Sequence, residues 1–321
     1  MHRSRTTWAL ATYALIVFAF RVGIAHTPIA ASLGVRLPYA LASFVLLLAP
    51  LWFFGFGAGD WLRDQTGSRA ARILLPCLLG VPALLYEVFE PARHWQPVVL
   101  MFVLPVILAT LLESSSNSAR ITWQDGAVLA SLVAIYMTHL LQPAWPENGL
   151  AALPKLYVAD VVLYLYVIVR RLEGMGYSFI PARSAVLIGF REWAFYAPIG
   201  IGLGLALHFI HFHQAMPAPL TAGAAIFGTF LLIVIPEELF FRGVLQNLLE
   251  TRLGPTGGLL AAAVLFGLSH FNKGAIFNWR YVILATLAGT FYGRAWRAKR
   301  QILASAITHT AVDVVWSLWF R

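Results

Sequence analysis

Cysteine and charge are both scarce in this chain of 321 residues. The single cysteine, Cys77, lies in an apolar run, which excludes a disulfide framework and a thiolate metal site. Only 12% of the residues are charged and 60% are hydrophobic, so the composition excludes an ordinary soluble domain. The sequence also lacks H-E-x-x-H, the pattern of the common zinc-protease helix. Together, these observations indicate an integral membrane protein that lacks the common zinc-protease helix.

Long apolar runs occupy most of the sequence. About eleven of them reach or approach the roughly 20 residues that cross a bilayer, and three of these are short or weak. Clusters of Gly, Pro, Asn and Ser separate them, as expected for the turns between helices. We therefore predict an all-α fold, a polytopic transmembrane helix bundle with about nine to eleven spans.

The formal net charge of +9 raises the question of an anionic partner. The basic residues are scattered over short loops and do not form one basic face, which predicts membrane lipid as a partner and no nucleic acid. Short basic loops of this kind are typical of a bacterial protein. We therefore predict an integral protein of the bacterial inner, or plasma, membrane.

The segment 172–191 marks the expected boundary between two regions. It is too polar to span a bilayer and too apolar for a free loop. Residues 1–175 form an N-terminal transmembrane region of unknown role, because they contain no recognisable motif. Residues 176–321 contain all the candidates for chemistry.

The stretch IPEELFFRG places three charges inside an apolar run. An unpaired charge at mid-membrane costs on the order of 3 kcal/mol, so these residues need partners or a function. Glu238 and Arg242 are four residues apart on a helix and can pair. Glu237 projects about 100° away from its neighbour and has no partner on its own helix. Pro236, directly before them, predicts a kink.

Two histidines lie in later apolar runs at helical spacing from another side chain. His270 follows Phe266 by four residues, and His309 precedes Asp313 by four. From the residues alone, the charged cluster could be a buried ion network, a transport path or a hydrolytic site. Transporters usually carry paired broken helices, whereas a single proline break is evident here.

The ordered set E-E-x-x-x-R, F-x-x-x-H, a glycine-rich helix and H-x-x-x-N/D resembles the CPBP family of intramembrane proteases. That family includes CAAX prenyl endopeptidases and bacteriocin-processing or immunity proteins. The resemblance covers roughly residues 190–321 and rests on the stretches 237–242, 266–270 and 309–313. It implies an intramembrane endopeptidase that hydrolyses a peptide bond of a membrane-associated protein or precursor peptide.

The resemblance also implies roles for individual residues. Glu237 would activate a water with help from His270, and His309 with Asp313 would bind or polarise the scissile carbonyl and its oxyanion. Glu238 and Arg242 would stabilise the kinked helix. The resemblance further implies that a glutamate activates the water and that the reaction requires no cofactor.

Two alternatives remain open. In the first, the protease depends on zinc, with Glu237, His270 and His309 as ligands. In the second, the protein is a non-catalytic immunity or adaptor protein that keeps the fold to bind a peptide.

Asp313 departs from the family pattern, in which asparagine is the commoner residue. An ionised carboxylate cannot donate a hydrogen bond to an oxyanion. Asp313 is therefore expected either to orient His309 by accepting its ring N–H or to ligate a metal.

Overall fold

The computed structural model describes residues 3–25, 27–89, 94–116, 118–213, 218–274 and 277–320. No β-strand occurs in these ranges, and the only β-type pairing there is an isolated antiparallel bridge between Phe212 and Phe320. The all-α class predicted from the sequence is therefore confirmed. Two compact units divide the chain.

The first unit contains the described residues up to 118 and residues 122–173. Its α-helices are α1 (Arg3–Ala25), α2 (Pro28–Leu33), α3 (Leu37–Phe54), α4 (Ala58–Gln65), α5 (Arg69–Leu74), α6 (Val81–Glu87), α7 (Trp95–Glu113), α8 (Trp123–Met137) and α9 (Ala152–Leu163). A π-helical segment, Tyr164–Val169, continues α9.

Ion pairs account for several charges inside this first unit. Asp125 Oδ1 lies 3.0 Å from Arg170 Nε, and both side chains are buried. Glu113 Oε1 lies 2.5 Å from Arg72 Nη2. Each pair reduces the free-energy cost of burying its two charges in an apolar bundle, so a structural role accounts for these four residues.

The second unit contains residues 119–121 and the described residues from 174 onward. Its α-helices are α10 (Arg183–Ala206), α11 (Pro219–Thr229), α12 (Ile235–Glu238), α13 (Asn247–Leu268), α14 (Trp279–Lys299) and α15 (Ile302–Trp319). Helix α14 packs against α10, α13 and α15, and α10 also packs against α15. Aromatic and small side chains from α10, α13 and α14 form the buried core between them.

Seven helical stretches among the described residues are long and apolar enough to cross a membrane: Ser4–Ala25, Pro28–Phe54, Arg69–Glu87, Trp95–Glu113, Ala152–Val169, Ala222–Leu268 and Ile302–Trp319. The polytopic helix bundle is thus confirmed. The stretch Ala222–Leu268 has 47 residues and is interrupted by the non-helical backbone of Gly254. Seven stretches are fewer than the nine to eleven spans expected from the apolar runs, so that number of spans stays a prediction.

The chain remains helical through Pro236, where the sequence predicts a kink. Two π-helical segments, Phe230–Val234 and Leu239–Gln246, flank the single α-helical turn that contains Pro236 and both glutamates. A π-helix is wider than an α-helix, and such segments occur frequently at functional sites. The non-helical break lies further along, at Gly254, where φ is +71° and Pro255 follows.

Glycines bring α13 and α14 close together. A Cβ on Gly289 would lie 3.3 Å from the Cα of Ala263, and a Cβ on Gly293 would lie 2.5 Å from Gln246 Oε1. Small residues at such spacing allow membrane helices to approach closely. Helices α13 and α14, which precede and follow His270 in the chain, are thus held at short range.

We expect Gly267→Ala to destabilise the second unit. A Cβ at this position would lie 2.7 Å from the backbone carbonyl of Val282 and would also meet the Thr286 hydroxyl, so α13 and α14 must move apart. Overpacking of this kind costs about 1–3 kcal/mol. Thermal unfolding in detergent measures the effect. The matched control is Gly228→Ala, because nothing lies within 4 Å of a Cβ there; equal unfolding midpoints for the two variants would contradict the prediction.

Candidate active site

Glu238 is held by side chains from two segments of the second unit. Its Oε1 accepts a hydrogen bond from Arg242 Nη1 at 3.0 Å and lies 2.7 Å from His309 Nδ1. Its Oε2 accepts a hydrogen bond from the Ser305 hydroxyl. The side chain is fully buried, so these donors replace the water that an ionised carboxylate would otherwise bind.

Arg242 is compensated on several sides, although it is buried. Besides Glu238, it donates from Nη2 to the carbonyl oxygen of Gly289 at 3.2 Å. The guanidinium carbon lies 4.5 Å from the ring centre of Phe266 and 5.2 Å from that of Tyr292. The pairing that the four-residue spacing predicts is present, and Arg242 also connects its own helix to α13 and α14.

Glu237 has a different environment from the adjacent Glu238. Its side chain is 19% exposed, whereas that of Glu238 is 0% exposed. Its nearest charged groups are His309 Nε2 at 3.9 Å and Lys273 Nζ at 4.0 Å. Within the described part of the chain it makes no hydrogen bond. Glu237 is therefore the carboxylate with room for a water.

His270 lies in the turn that follows α13. Its Nδ1 is 2.9 Å from the carbonyl oxygen of Phe266 and 3.1 Å from the Ser269 hydroxyl. A carbonyl oxygen only accepts, so Nδ1 carries the hydrogen and Nε2 presents a lone pair. Burial, with a smaller contribution from Lys273, lowers the pKa of His270 to about 4. The ring is thus neutral at pH 7 and can accept a hydrogen bond.

His309 has carboxylates near both ring nitrogens. Nε2 lies 3.5 Å from Asp313 Oδ2 and 3.9 Å from Glu237 Oε2, while Nδ1 faces Glu238. The ring stacks on Tyr292 with a centroid distance of 4.3 Å and an interplanar angle of 18°. The orienting hydrogen bond therefore comes from Glu238, whereas Asp313, expected to accept the ring N–H, lies at ion-pair distance.

The side chains of His270, His309 and Asp313 line one cavity of about 80 Å³. A cavity needs only about 10–15 Å³ of such volume to hold one water, so this one has space for several waters or a small side chain. Aromatic and aliphatic side chains form most of its wall in about equal number. Its tyrosines are Tyr196, Tyr281 and Tyr292.

The sequence motifs do not include several residues of this cluster. Ser305, His309 and Asp313 recur at four-residue intervals on α15, and this periodicity could have indicated Ser305. Lys273 lies in a turn and Tyr281 begins a different helix, so no spacing connects either residue to the motifs. Only the packing of the helices brings them to the site.

The predicted zinc ligands Glu237, His270 and His309 do not form a compact set. In the ranges that the structure describes, no three His, Cys, Asp or Glu side chains are grouped as a metal site requires. His309 uses Nδ1 for Glu238, and His270 uses Nδ1 for a backbone carbonyl. Each ring therefore has only Nε2 left for another partner.

A bundle of apolar helices with buried carboxylates, histidines and a cavity at one cluster has the architecture of an intramembrane hydrolase. Residues 219–315 match the family model described as Type II CAAX prenyl endopeptidase Rce1-like, and all six candidate residues lie inside this range. The recognition made from the motifs is confirmed: the chain carries an Rce1-like domain, consistent with a CPBP family protease. It is an integral membrane protein and a CAAX-type peptide hydrolase.

No curated protein and no solved structure matches the chain.

Proposed function

We propose that this protein is an endopeptidase of the bacterial inner membrane that hydrolyses a peptide bond of a membrane-associated protein or precursor peptide. Glu237 activates the attacking water, and the reaction requires no metal. The observation that carries the proposal is the contrast between two adjacent glutamates. One is buried and fully compensated by Arg242, His309 and Ser305, and the other is partly exposed and makes no hydrogen bond among the described residues.

Glu237 and His270 have different roles toward the attacking water. The ring of His270 is neutral and its Nε2 accepts a hydrogen bond from the water, which orients the molecule. Glu237 removes the second proton of the same water. A carboxylate that reaches the water in this way is a general base of the usual kind.

The reaction proceeds through a tetrahedral intermediate. As Glu237 takes the proton, the water oxygen bonds to the carbonyl carbon, and the π electron pair of the carbonyl moves onto its oxygen. The carbonyl then re-forms, the C–N bond breaks, and the proton held by Glu237 passes to the departing nitrogen. One water and one peptide bond thus become a carboxylic acid and an amine.

His309 stabilises the negative oxygen of the intermediate. Both ring nitrogens lie near carboxylates, and in the proposed reaction the protonated ring donates from each. Nδ1–H bonds to Glu238, and Nε2–H points toward the side of the cluster that holds Glu237. A fixed cationic donor in a site with little water stabilises a developing oxyanion strongly.

The experiment that tests the proposal compares native membranes that contain wild-type protein, Glu237→Gln or no protein. Mass spectrometry measures the peptide fragments that accumulate, with and without a chelator. We expect a set of fragments that is present only with the wild type and that persists with chelator. Their termini identify the substrate and the cleaved bond.

Other outcomes discriminate between the alternatives. Loss of the fragments with chelator, together with one metal ion per protein, would replace the metal-free reaction by zinc hydrolysis. Identical fragments in all three membranes would contradict the protease proposal and favour a binding protein. The outcome of identical fragments can be recognised without any assumption about the substrate.

A further inference from the structure

The oxyanion in the proposed reaction has only one donor so far. His309 is the cationic donor, but Asp313 cannot donate while it is ionised. Its Oδ2 lies 3.5 Å from His309 Nε2, at ion-pair distance. Oxyanion sites commonly combine two donors aimed at the same oxygen. A second donor must therefore come from another side chain near the cavity.

Three tyrosine hydroxyls lie within electrostatic range of the Asp313 carboxylate, those of Tyr196, Tyr281 and Tyr292. All three residues line the cavity that contains His270 and His309. A phenol is a neutral donor below about pH 10, so it can donate to an oxyanion at physiological pH. The cavity thus contains the missing type of group.

The hydroxyls of Tyr196 and Tyr292 are less suited to donate to the oxyanion. The Tyr196 hydroxyl is 3.5 Å from the carbonyl oxygen of Leu284 and donates to it. Tyr292 is fully buried, and its ring stacks on that of His309. Its other ionic neighbours are Glu238 and Arg242, which form the buried ion pair. Neither hydroxyl has Glu237 among its ionic neighbours.

Tyr281 is the tyrosine on the side of the general base. Its hydroxyl is within electrostatic range of both Asp313 and Glu237, and its ring centre lies 4.7 Å from that of His270. Within the described ranges that hydroxyl has no hydrogen-bond partner. It therefore has an unused donor beside the residues that hold the water.

The ring of Tyr281 is also fixed before any substrate binds. It lies edge-on to Trp316 at 5.1 Å and packs against Phe209 at 5.3 Å. Its backbone N–H donates to the side chain of Asn278, the N-cap of α14. A donor held in place in this way needs little reorganisation during the reaction, which is the condition for strong transition-state stabilisation.

We propose that Tyr281 is a catalytic residue that donates its hydroxyl hydrogen bond to the carbonyl oxygen of the scissile peptide as it becomes an oxyanion. This inference rests on the proposed function. Tyr281 keeps its proton throughout: the water oxygen bonds to the carbonyl carbon, the carbonyl electron pair moves onto oxygen, and His309 and Tyr281 both donate to that oxygen. Glu238 holds His309 through Nδ1, and Asp313 is not a donor in this step.

The test is Tyr281→Phe, assayed on a peptide that carries the bond identified in the membrane comparison. Removal of one oxyanion donor lowers kcat by about 100- to 1,000-fold, and KM is expected to change by less than about threefold. The thermal unfolding midpoint is expected to remain that of the wild type, because phenylalanine retains the contacts with Trp316, Phe209 and His270. A kcat equal to that of the wild type would overturn the inference.

A second change tests the chemistry itself. Asn is isosteric with Asp and its amide donates, so Tyr281→Phe combined with Asp313→Asn is expected to recover at least about tenfold of the lost kcat. A purely structural role for Tyr281 predicts no recovery. The matched control is Tyr164→Phe in the first unit, whose hydroxyl donates to the carbonyl of Arg72, and which is expected to retain wild-type kcat.

Two further variants decide the assignment. A larger loss of kcat for Tyr196→Phe or Tyr292→Phe than for Tyr281→Phe would overturn the choice of Tyr281. Failure of the protease proposal itself is distinguishable, because then the wild type and Glu237→Gln would process the peptide alike. If Glu237→Gln is inactive and Tyr281→Phe is fully active, the proposed function stands and this inference fails.

Discussion

Glu237→Gln is expected to lower kcat by about 10⁴-fold or below detection, with wild-type folding retained. The amide cannot take a proton from water, and it cannot return one to the departing nitrogen, so both proton transfers are lost. Folding is unaffected because Glu237 makes no hydrogen bond within the described residues and its side chain is 19% exposed. Turnover of the identified peptide and the thermal unfolding midpoint measure the two effects separately.

The control for this variant is Asp64→Asn, the same change from carboxylate to amide at an exposed side chain. We expect it to leave both turnover and stability unchanged. Glu237→Asp extends the test, since the shorter side chain keeps the base but moves it by about one carbon–carbon bond, and misplacement of a catalytic group by about 1 Å can cost 100-fold. Normal cleavage by Glu237→Gln would show that another group activates the water.

Arg242→Met is expected to destabilise the protein by about 3–5 kcal/mol, the cost of leaving one member of a buried ion pair without its partner. The guanidinium is the donor to Glu238 at 3.0 Å and to the Gly289 carbonyl at 3.2 Å, and its loss leaves both acceptors in an apolar environment. Thermal unfolding in detergent, followed by circular dichroism, measures the change in midpoint. Activity is expected to fall with the folded fraction.

Two companion variants separate charge from packing. Arg252→Met replaces an exposed arginine close in sequence and is expected to shift the midpoint little. The double variant Glu238→Gln with Arg242→Met removes both charges, so it is expected to recover part of the stability lost in Arg242→Met. Activity should stay low in the double variant, because Gln is a weaker acceptor for His309. Equal midpoints for Arg242→Met and Arg252→Met would contradict a structural role for Arg242.

Composition and periodicity were sufficient for the class of fold. Apolar runs of spanning length leave helices as the solution that satisfies the backbone in lipid, and no tertiary information is needed for that step. The pair Glu238 and Arg242 was also predictable, because residues four apart on one helix are neighbours whatever surrounds them. The same local rule relates His309 to Asp313, which lie 3.5 Å apart.

Predictions that depended on backbone detail were less successful. Pro236 suggests a kink from the sequence, yet the helix continues through it by adopting π-helical turns on both sides. Such turns depend on how neighbouring helices pack around the segment, and a proline in the sequence does not specify them. For Asp313 the sequence left two roles open, to accept the ring N–H of His309 or to ligate a metal, and in the structure the carboxylate nearest that ring is Glu238, at 2.7 Å from Nδ1.

The sequence by itself determined the membrane helices, the charged motifs and the family resemblance, because each of these depends on composition or on spacing along one helix. Tertiary structure alone decided that His309 also contacts Glu238 and that the Glu237 side chain stays partly exposed. It also decided that Ser305, Tyr281 and Lys273 join the cluster, since contacts between residues far apart in the chain depend on the packing of α13, α14 and α15. Local rules fix neighbours on a helix, whereas a catalytic arrangement is assembled from several helices.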